Sequence, residues 1–212
     1  MNAIIFDFDG TIADSFDTVL DFLLKRAGTD PASLTLEQRN ALRGMSMKNV
    51  ALQAGIPKWR LLATYFAGKR YFLKNLTKVP PVAGMPELLK ILHDEQYKLL
   101  IISSNSRRNI NRFLVERGLG GYFLAVYGNA GWFGKSRTLK KAAKRYNIEL
   151  AKTVYVGDEE RDIVAAHRAG MASIAVNWGF ASEAALLAHT PTFMVRSAAE
   201  LQKTLVDLGR NT

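Results

Sequence analysis

Short runs of Ile, Val and Leu recur along this chain, and stretches with helical periodicity lie between them. This alternation limits the available folds more than any other feature. The runs are Ala3–Phe6, Lys98–Ser103, Phe123–Tyr127, Thr153–Val156 and Ala172–Val176. Apolar segments this short read as buried strands. Met85–Glu95, Arg107–Arg117, Ser136–Asn147 and Ile163–Ala169 carry amphipathic, helix-like patterns. Strand alternating with helix implies a parallel sheet covered on both faces. In such sheets ligands bind beyond the carboxyl ends of the strands.

One segment breaks the alternation. From Asp14 to Val79 the patterns are helical: Leu20, Phe22, Leu23 and Leu24 fall in one, Val50 and Leu52 in another, and Leu61, Leu62, Tyr65, Phe66 and Tyr71 in a third. Asp14-Ser15 opens the segment with an N-cap type signal, and Pro80-Pro81-Val82-Ala83-Gly84 closes it like a hinge. The expected architecture is therefore α/β: a Rossmann-like parallel sheet core from residues 1–13 and 82–212, with an all-helical insert at 14–81.

Composition excludes several chemistries. The chain has no cysteine, so disulfides, thiolate metal sites and cysteine nucleophiles are ruled out, and a cytoplasmic protein is expected. The first residues lack a basic n-region, and their apolar run stops at Asp7, too early for a signal peptide. No apolar stretch approaches the roughly 18–20 residues needed to span a bilayer. Lys and Arg number 29 against 19 Asp and Glu, a net charge of +10 that favours anionic partners.

The chemistry concentrates at strand ends. Asp7-Phe8-Asp9-Gly10-Thr11 directly follows the first run. Two carboxylates at i and i+2 can converge where the chain leaves a strand, and Gly10 permits the turn. Alone, they fit a solvated turn equally well. As a site, Asp7 with a nearby backbone carbonyl would hold a hard cation such as Mg²⁺. Asp7 can then attack phosphorus, and Asp9 can protonate the leaving oxygen and later activate water. Leu99–Ile102 ends at Ser103-Ser104-Asn105, and Thr153–Val156 ends at Gly157-Asp158-Glu159-Glu160-Arg161-Asp162. Between these two strands lies Gly134-Lys135-Ser136, whose lysine can neutralise a transferred phosphoryl group.

This ordered set resembles the haloacid dehalogenase superfamily in its phosphatase branch. Asp7–Thr11 is similar to the first motif of that family, Ser104 with Asn105 to the second, Lys135 to the third, and Gly157-Asp158 with Asp162 to the fourth. The resemblance implies Asp7 as nucleophile and metal ligand, and Asp9 as acid/base that lends its backbone carbonyl to Mg²⁺. It implies Asp158 as the third metal ligand, Ser104 and Lys135 as holders of phosphoryl oxygens, and Asp162 as a close support. Glu159 is a lesser metal-site candidate. Thr11 and Asn105 are expected against substrate. Asp9 points to phosphoryl transfer over dehalogenation, because halogen-cleaving members lack an acid there. Trp178-Gly179, followed by a helix and Pro191, looks most like phosphoglycolate phosphatases.

The insert at 14–81 resembles that family's all-helical cap domain, which implies closure over a small anionic phosphorylated metabolite, with Arg43, where related phosphatases and mutases often place an anion-binding arginine, and then Lys48 as candidates. Gly128–Ser136 is a near miss to a phosphate-binding P-loop, since Asn129 stands where that spacing needs glycine. His93, His167 and His189 lack metal-ligand spacing. Two alternatives remain open at this point. One is a phosphomutase on the same scaffold. The other is a non-catalytic anion- or nucleic-acid-binding protein, against which the acidic set argues.

Overall fold

The computed structural model describes residues 3–45, 47–131 and 134–210. Its core is one parallel sheet: β1 (Ala3–Phe6), β2 (Lys98–Ile102), β3 (Phe123–Tyr127), β4 (Thr153–Gly157), β5 (Ala172–Val176) and β6 (Phe193–Val195). The order is β3-β2-β1-β4-β5-β6. β1 therefore lies between β2 and β4, with Phe6 level with Ile101 and Val156. The five expected strands are present to within a residue. β6 was not expected: at three residues on a sheet edge, it is too short to show a period.

Ten α-helices accompany the strands among the described residues: α1 (Phe16–Arg26), α2 (Leu36–Leu42), α3 (Met47–Gln53), α4 (Leu61–Lys74), α5 (Met85–Asp94), α6 (Arg107–Glu116), α7 (Lys135–Tyr146), α8 (Glu160–Ala169), α9 (Glu183–Leu187) and α10 (Ala198–Arg210). Their ends follow local chemistry. Ser106 accepts from the Asn109 N–H to cap α6, and Gly170 closes α8 with φ near 78°. None of these helices is long and apolar enough to cross a membrane.

Strand alternation divides the core into two layers. Ile4, Phe6, Leu99, Ile101, Val154 and Val156 face one way, against Leu88 and Leu92 of α5, Phe113 of α6 and Leu201 of α10. Phe8 meets Phe113 edge to face at 5.1 Å. Ala3, Ile5, Leu100, Ile102 and Tyr155 face the other way, against Leu139 of α7 and Ala166 of α8. Each such large side chain contributes about 1.5–3 kcal/mol of burial.

α1 to α4 form no named strand, and α1 and α3 gather a cluster of their own around Phe16, Leu20, Leu24, Val50 and Ile56, with Phe180 reaching in from the sheet side. Phe72, Leu76 and Val79, at the end of this segment, pack instead in the first layer of the sheet.

Candidate active site

Strand geometry places the first carboxylate. Asp7 directly follows β1, and its N–H donates to the Val156 carbonyl at 2.8 Å, so the parallel ladder continues through it. By the two-residue alternation it projects to the face of Ile5, where α7 and α8 begin. Lys135 opens α7, and its Nζ donates to Asp7 Oδ2 at 2.9 Å. The same ammonium pairs with Asp162, which sits in the first turn of α8 and accepts from the Glu159 N–H at 3.1 Å. All three side chains are almost fully buried.

Asp158 directly follows β4 and is fully buried. Thr11 Oγ1 donates to its Oδ1 at 2.9 Å, and the Phe180 N–H donates to its Oδ2 at 2.8 Å. Two glycines give it room. A Cβ at Gly10, where φ is +71°, would stand 2.7 Å from the Asp158 carboxyl carbon; at Gly179 the gap would be 2.5 Å. The Trp178 indole donates to the Thr11 carbonyl at 3.3 Å, so the Trp178-Gly179 pair helps to frame Asp158. Carboxylate oxygens of Asp7, Asp158 and Asp162 lie within 4.8 Å of one another.

Burial and charge set the protonation of the cluster. For Asp7, burial favours the neutral form, but Lys135 and then Arg161 outweigh it and hold the carboxyl below its usual range. Burial and the Asp7 charge push Asp9 up to about 6, against hydrogen bonds from Asn105. Burial, then Glu159, Asp162 and Asp7, raise Asp158 well above a normal aspartate. Burial carries Glu159 up to about 7 in spite of Arg161. Burial opposes the charge on Lys135, yet Asp162 and Asp7 raise its pKa.

Five acidic groups (Asp7, Asp9, Asp158, Glu159 and Asp162) thus face two cations, Lys135 and Arg161, in a buried space. Such an excess of negative charge is costly unless protons or a cation compensate it. Every donor in the cluster is a hard carboxylate oxygen, which suits Mg²⁺. The residues present therefore fit a divalent ion.

Other expected residues are engaged differently. Thr11, expected against substrate, gives its hydroxyl to Asp158. Asn105, also expected there, donates to both oxygens of Asp9 at 3.2 and 2.9 Å, and its own Oδ1 accepts from Ser106 and Asn109. It orients the acid/base candidate. The hydroxyl beside Asp7 belongs to Ser103, which is buried and helps hold the Asp7 charge. Ser104 is half-buried, and its Oγ accepts from Arg161 Nη2 at 3.5 Å. Glu159 pairs with Arg161.

Arg43 lies at 3.8 Å from Asp14 and 3.5 Å from Asp17, donates to the Trp178 carbonyl at 3.4 Å, and stacks 4.3 Å from the Phe16 ring centroid. These contacts turn its side chain toward Asp14, Asp17 and Trp178, and 32% of it stays exposed. Lys48 is exposed on α3. In the P-loop-like stretch, Trp132 and Phe133 lie outside the described residues.

Sequence reasoning missed Ser103 and Arg161. Ser103 could have been found from its place immediately after the last strand residue, matching Asp7 after Phe6. Arg161 lies in the polar run after Thr153–Val156, but nothing in that run distinguishes it from its neighbours.

A family model described as haloacid dehalogenase-like hydrolase matches residues 4–176. The chain is 34% identical over 215 residues to a phosphoglycolate phosphatase of Synechococcus elongatus, covering 99% of this chain and 100% of that one. It is 28% identical to a 5'-nucleotidase of Pseudomonas aeruginosa, over 95% of this chain and 94% of that one. A solved haloacid dehalogenase-like hydrolase from Streptococcus pneumoniae superposes with a TM-score of 0.78 at 20% identity, covering 97% and 98% of the two chains, a likeness of fold alone. The chain belongs to the haloacid dehalogenase-like hydrolases.

Proposed function

We propose that this hydrolase cleaves a small anionic phosphate monoester in a Mg²⁺-dependent reaction that passes through a phosphoryl group on Asp7. One observation carries the reading. A buried aspartate is held ionised by a lysine at 2.9 Å, with further carboxylates within reach of a single cation. An ionised carboxylate so placed is a nucleophile.

In the proposed reaction an Asp7 oxygen bonds to phosphorus as the ester P–O bond breaks. Asp9, whose raised pKa keeps a proton available near neutrality, gives that proton to the leaving oxygen. Asp9 then takes a proton from water as the water oxygen attacks phosphorus. The bond from phosphorus to Asp7 breaks, and inorganic phosphate leaves. Lys135 and the Ser103 hydroxyl hold phosphoryl oxygens throughout. Asp7, Asp158 and the Asp9 carbonyl would hold Mg²⁺, with Asp162 anchoring Lys135 beside them. Bound there, the ion neutralises phosphate charge as a Lewis acid.

Residues 14–81 are read as a cap on the core formed by 1–13 and 82–212. Tyr65 and Lys69 of α4 support this. The Tyr65 hydroxyl donates to the Ser104 carbonyl at 2.8 Å, and Lys69 Nζ donates to Asn129 Oδ1 at 3.2 Å. Both contacts join the helical segment to loops at the carboxyl end of the sheet. The similarity to the Synechococcus phosphoglycolate phosphatase makes a short phospho-acid the first substrate to try.

The test is release of phosphate from 2-phosphoglycolate and p-nitrophenyl phosphate with and without Mg²⁺. Turnover is expected only with the ion, and Asp7→Asn is expected to abolish it. Activity that survives Asp7→Asn would refute the nucleophile.

A further inference from the structure

We infer that Asn109 is a positioning residue that ties the aim of Asp9 to the seating of the cap helix α4. This rests on the phosphatase reading above and adds to it a link between cap and acid/base.

Two buried amides lie in series between α4 and Asp9. Asn109 stands in the first turn of α6, and only 2% of it is exposed. Its Nδ2 donates to the Lys69 carbonyl of α4 and to Asn105 Oδ1, both at 2.9 Å. Asn105 Nδ2 in turn donates to the two Asp9 oxygens. A side-chain amide has a donor end and an acceptor end of nearly the same shape, so its partners decide which way it points. Asn109 Nδ2 and the Ser106 N–H, the latter at 2.7 Å, hold the Asn105 oxygen. That leaves the Asn105 N–H groups turned to Asp9. The reversed amide would set an oxygen against the Asp9 carboxyl and give up both hydrogen bonds that hold it.

The contact with α4 makes this arrangement depend on the cap. Tyr65 and Lys69 also bring α4 to Ser104 and Asn129, and the Asn129 N–H donates to the Asn105 carbonyl. With α4 seated, the Lys69 carbonyl takes one Asn109 N–H and directs the other at Asn105. With α4 lifted, that acceptor withdraws. A nearly buried amide is then free to turn, and one of the two donors that orient Asn105 is lost. A side chain that only fastened α4 to α6 would need one of these bonds. The second runs to Asn105, away from the cap. Asp9 is thus aimed when the site is covered and released when it opens.

The readout is kcat/KM on phenyl phosphate and on p-nitrophenyl phosphate, with Mg²⁺ saturating. This constant covers the step in which the leaving group departs. Phenolate is the more basic of the two leaving groups and needs the proton of Asp9 more. Both values scale with the amount of folded enzyme, so their ratio is untouched by partial unfolding. Asn109→Ala should lose roughly 3- to 10-fold more activity on phenyl phosphate than on p-nitrophenyl phosphate, a part of the roughly 10²–10⁴ that a positioned acid supplies. Asn109→Ser has one donor for two acceptors and should show the same bias. Tyr65→Phe, which loosens α4, should show a weaker bias that disappears in the Asn109→Ala background, since both act through one contact. Equal losses on the two esters in either Asn109 variant, or biases of Tyr65→Phe and Asn109→Ala that simply multiply, overturn the inference and leave the phosphatase reading standing. Absence of turnover in the wild-type protein overturns both.

Discussion

Replacing Ser103 and Ser104 by alanine, one at a time, separates two hydroxyls that adjacent positions in the sequence cannot. Ser103 is buried at 1% exposure, and its Oγ accepts from the Asn105 N–H at 3.2 Å while facing Asp7. Its loss has two consequences. The Asn105 N–H loses its acceptor, which costs about 1–3 kcal/mol of stability. That corresponds to a fall of roughly 2–10 °C in Tm for a chain of this size. A donor aimed at the transferring phosphoryl group is also lost, and groups of that kind typically carry about 10²–10³ in kcat. Ser104 is half-buried, with its hydroxyl 3.5 Å from Arg161, and its removal should change kcat/KM by less than about 3-fold. The assay is steady-state hydrolysis of p-nitrophenyl phosphate at saturating Mg²⁺, with thermal melts to confirm that each variant is folded. If Ser104→Ala loses as much activity as Ser103→Ala, or Ser103→Ala keeps more than about a tenth of kcat, the assignment of the phosphoryl-holding hydroxyl is wrong.

Three further outcomes are expected. Lys135→Met leaves Asp7 and Asp162 buried without their shared cation, so kcat should fall at least about 10²-fold, with stability lowered by about 3–5 kcal/mol in urea titrations. Tyr65→Phe removes the hydrogen bond from α4 to the Ser104 carbonyl at a partly exposed site. KM should rise a few-fold while stability moves by no more than about 1 kcal/mol, and an unchanged KM would remove Tyr65 from cap closure. Without metal, the folded protein binds protons at Asp9 and Glu159, which titrate at about 6 and 7 against ordinary values of 3.8 and 4.5. The folded state then holds more protons than the unfolded state in that window, so stability rises as pH falls through it. Asp7, with its lowered pKa, runs the other way but does so below the window. In EDTA, Tm should therefore increase from about pH 8 to about pH 5, and added Mg²⁺ should stabilise most at the alkaline end. A melt series with the opposite slope would contradict the raised carboxyls.

Much of the framework was legible in the chain. Ile and Val runs of about five residues cannot hide as amphipathic helices, so β1 to β5 could be placed closely. Asp7 and Asp158 stand in polar runs that follow apolar strands, and the resemblance to a known family, rather than patterning alone, drew Lys135 and Asp162 into the same candidate site. The helical segment from Asp14 was visible for the same reason, as a long interval with the wrong period for strands. β6 was not visible, because three residues at a sheet edge carry no usable periodicity.

Spacing along the chain could not decide which polar groups meet. Ser103 and Ser104 are chemically alike, and only the pleat and register of β2 beside β1 turn the first toward Asp7 and the second toward the rim. Spacing singled out Arg43 for an anion but could not show that packing sets it beside Asp14, Asp17 and Phe16. Thr11 and Asn105 were expected against substrate, and spacing could not show that their side chains meet Asp158 and Asp9. Residue types and local periodicity thus determined the elements and the carboxylates, since both follow from short-range geometry. Strand order, which puts β1 between β2 and β4 and so gathers groups from distant segments over one carboxylate, is a property of long-range pairing, and the tertiary structure alone decided it.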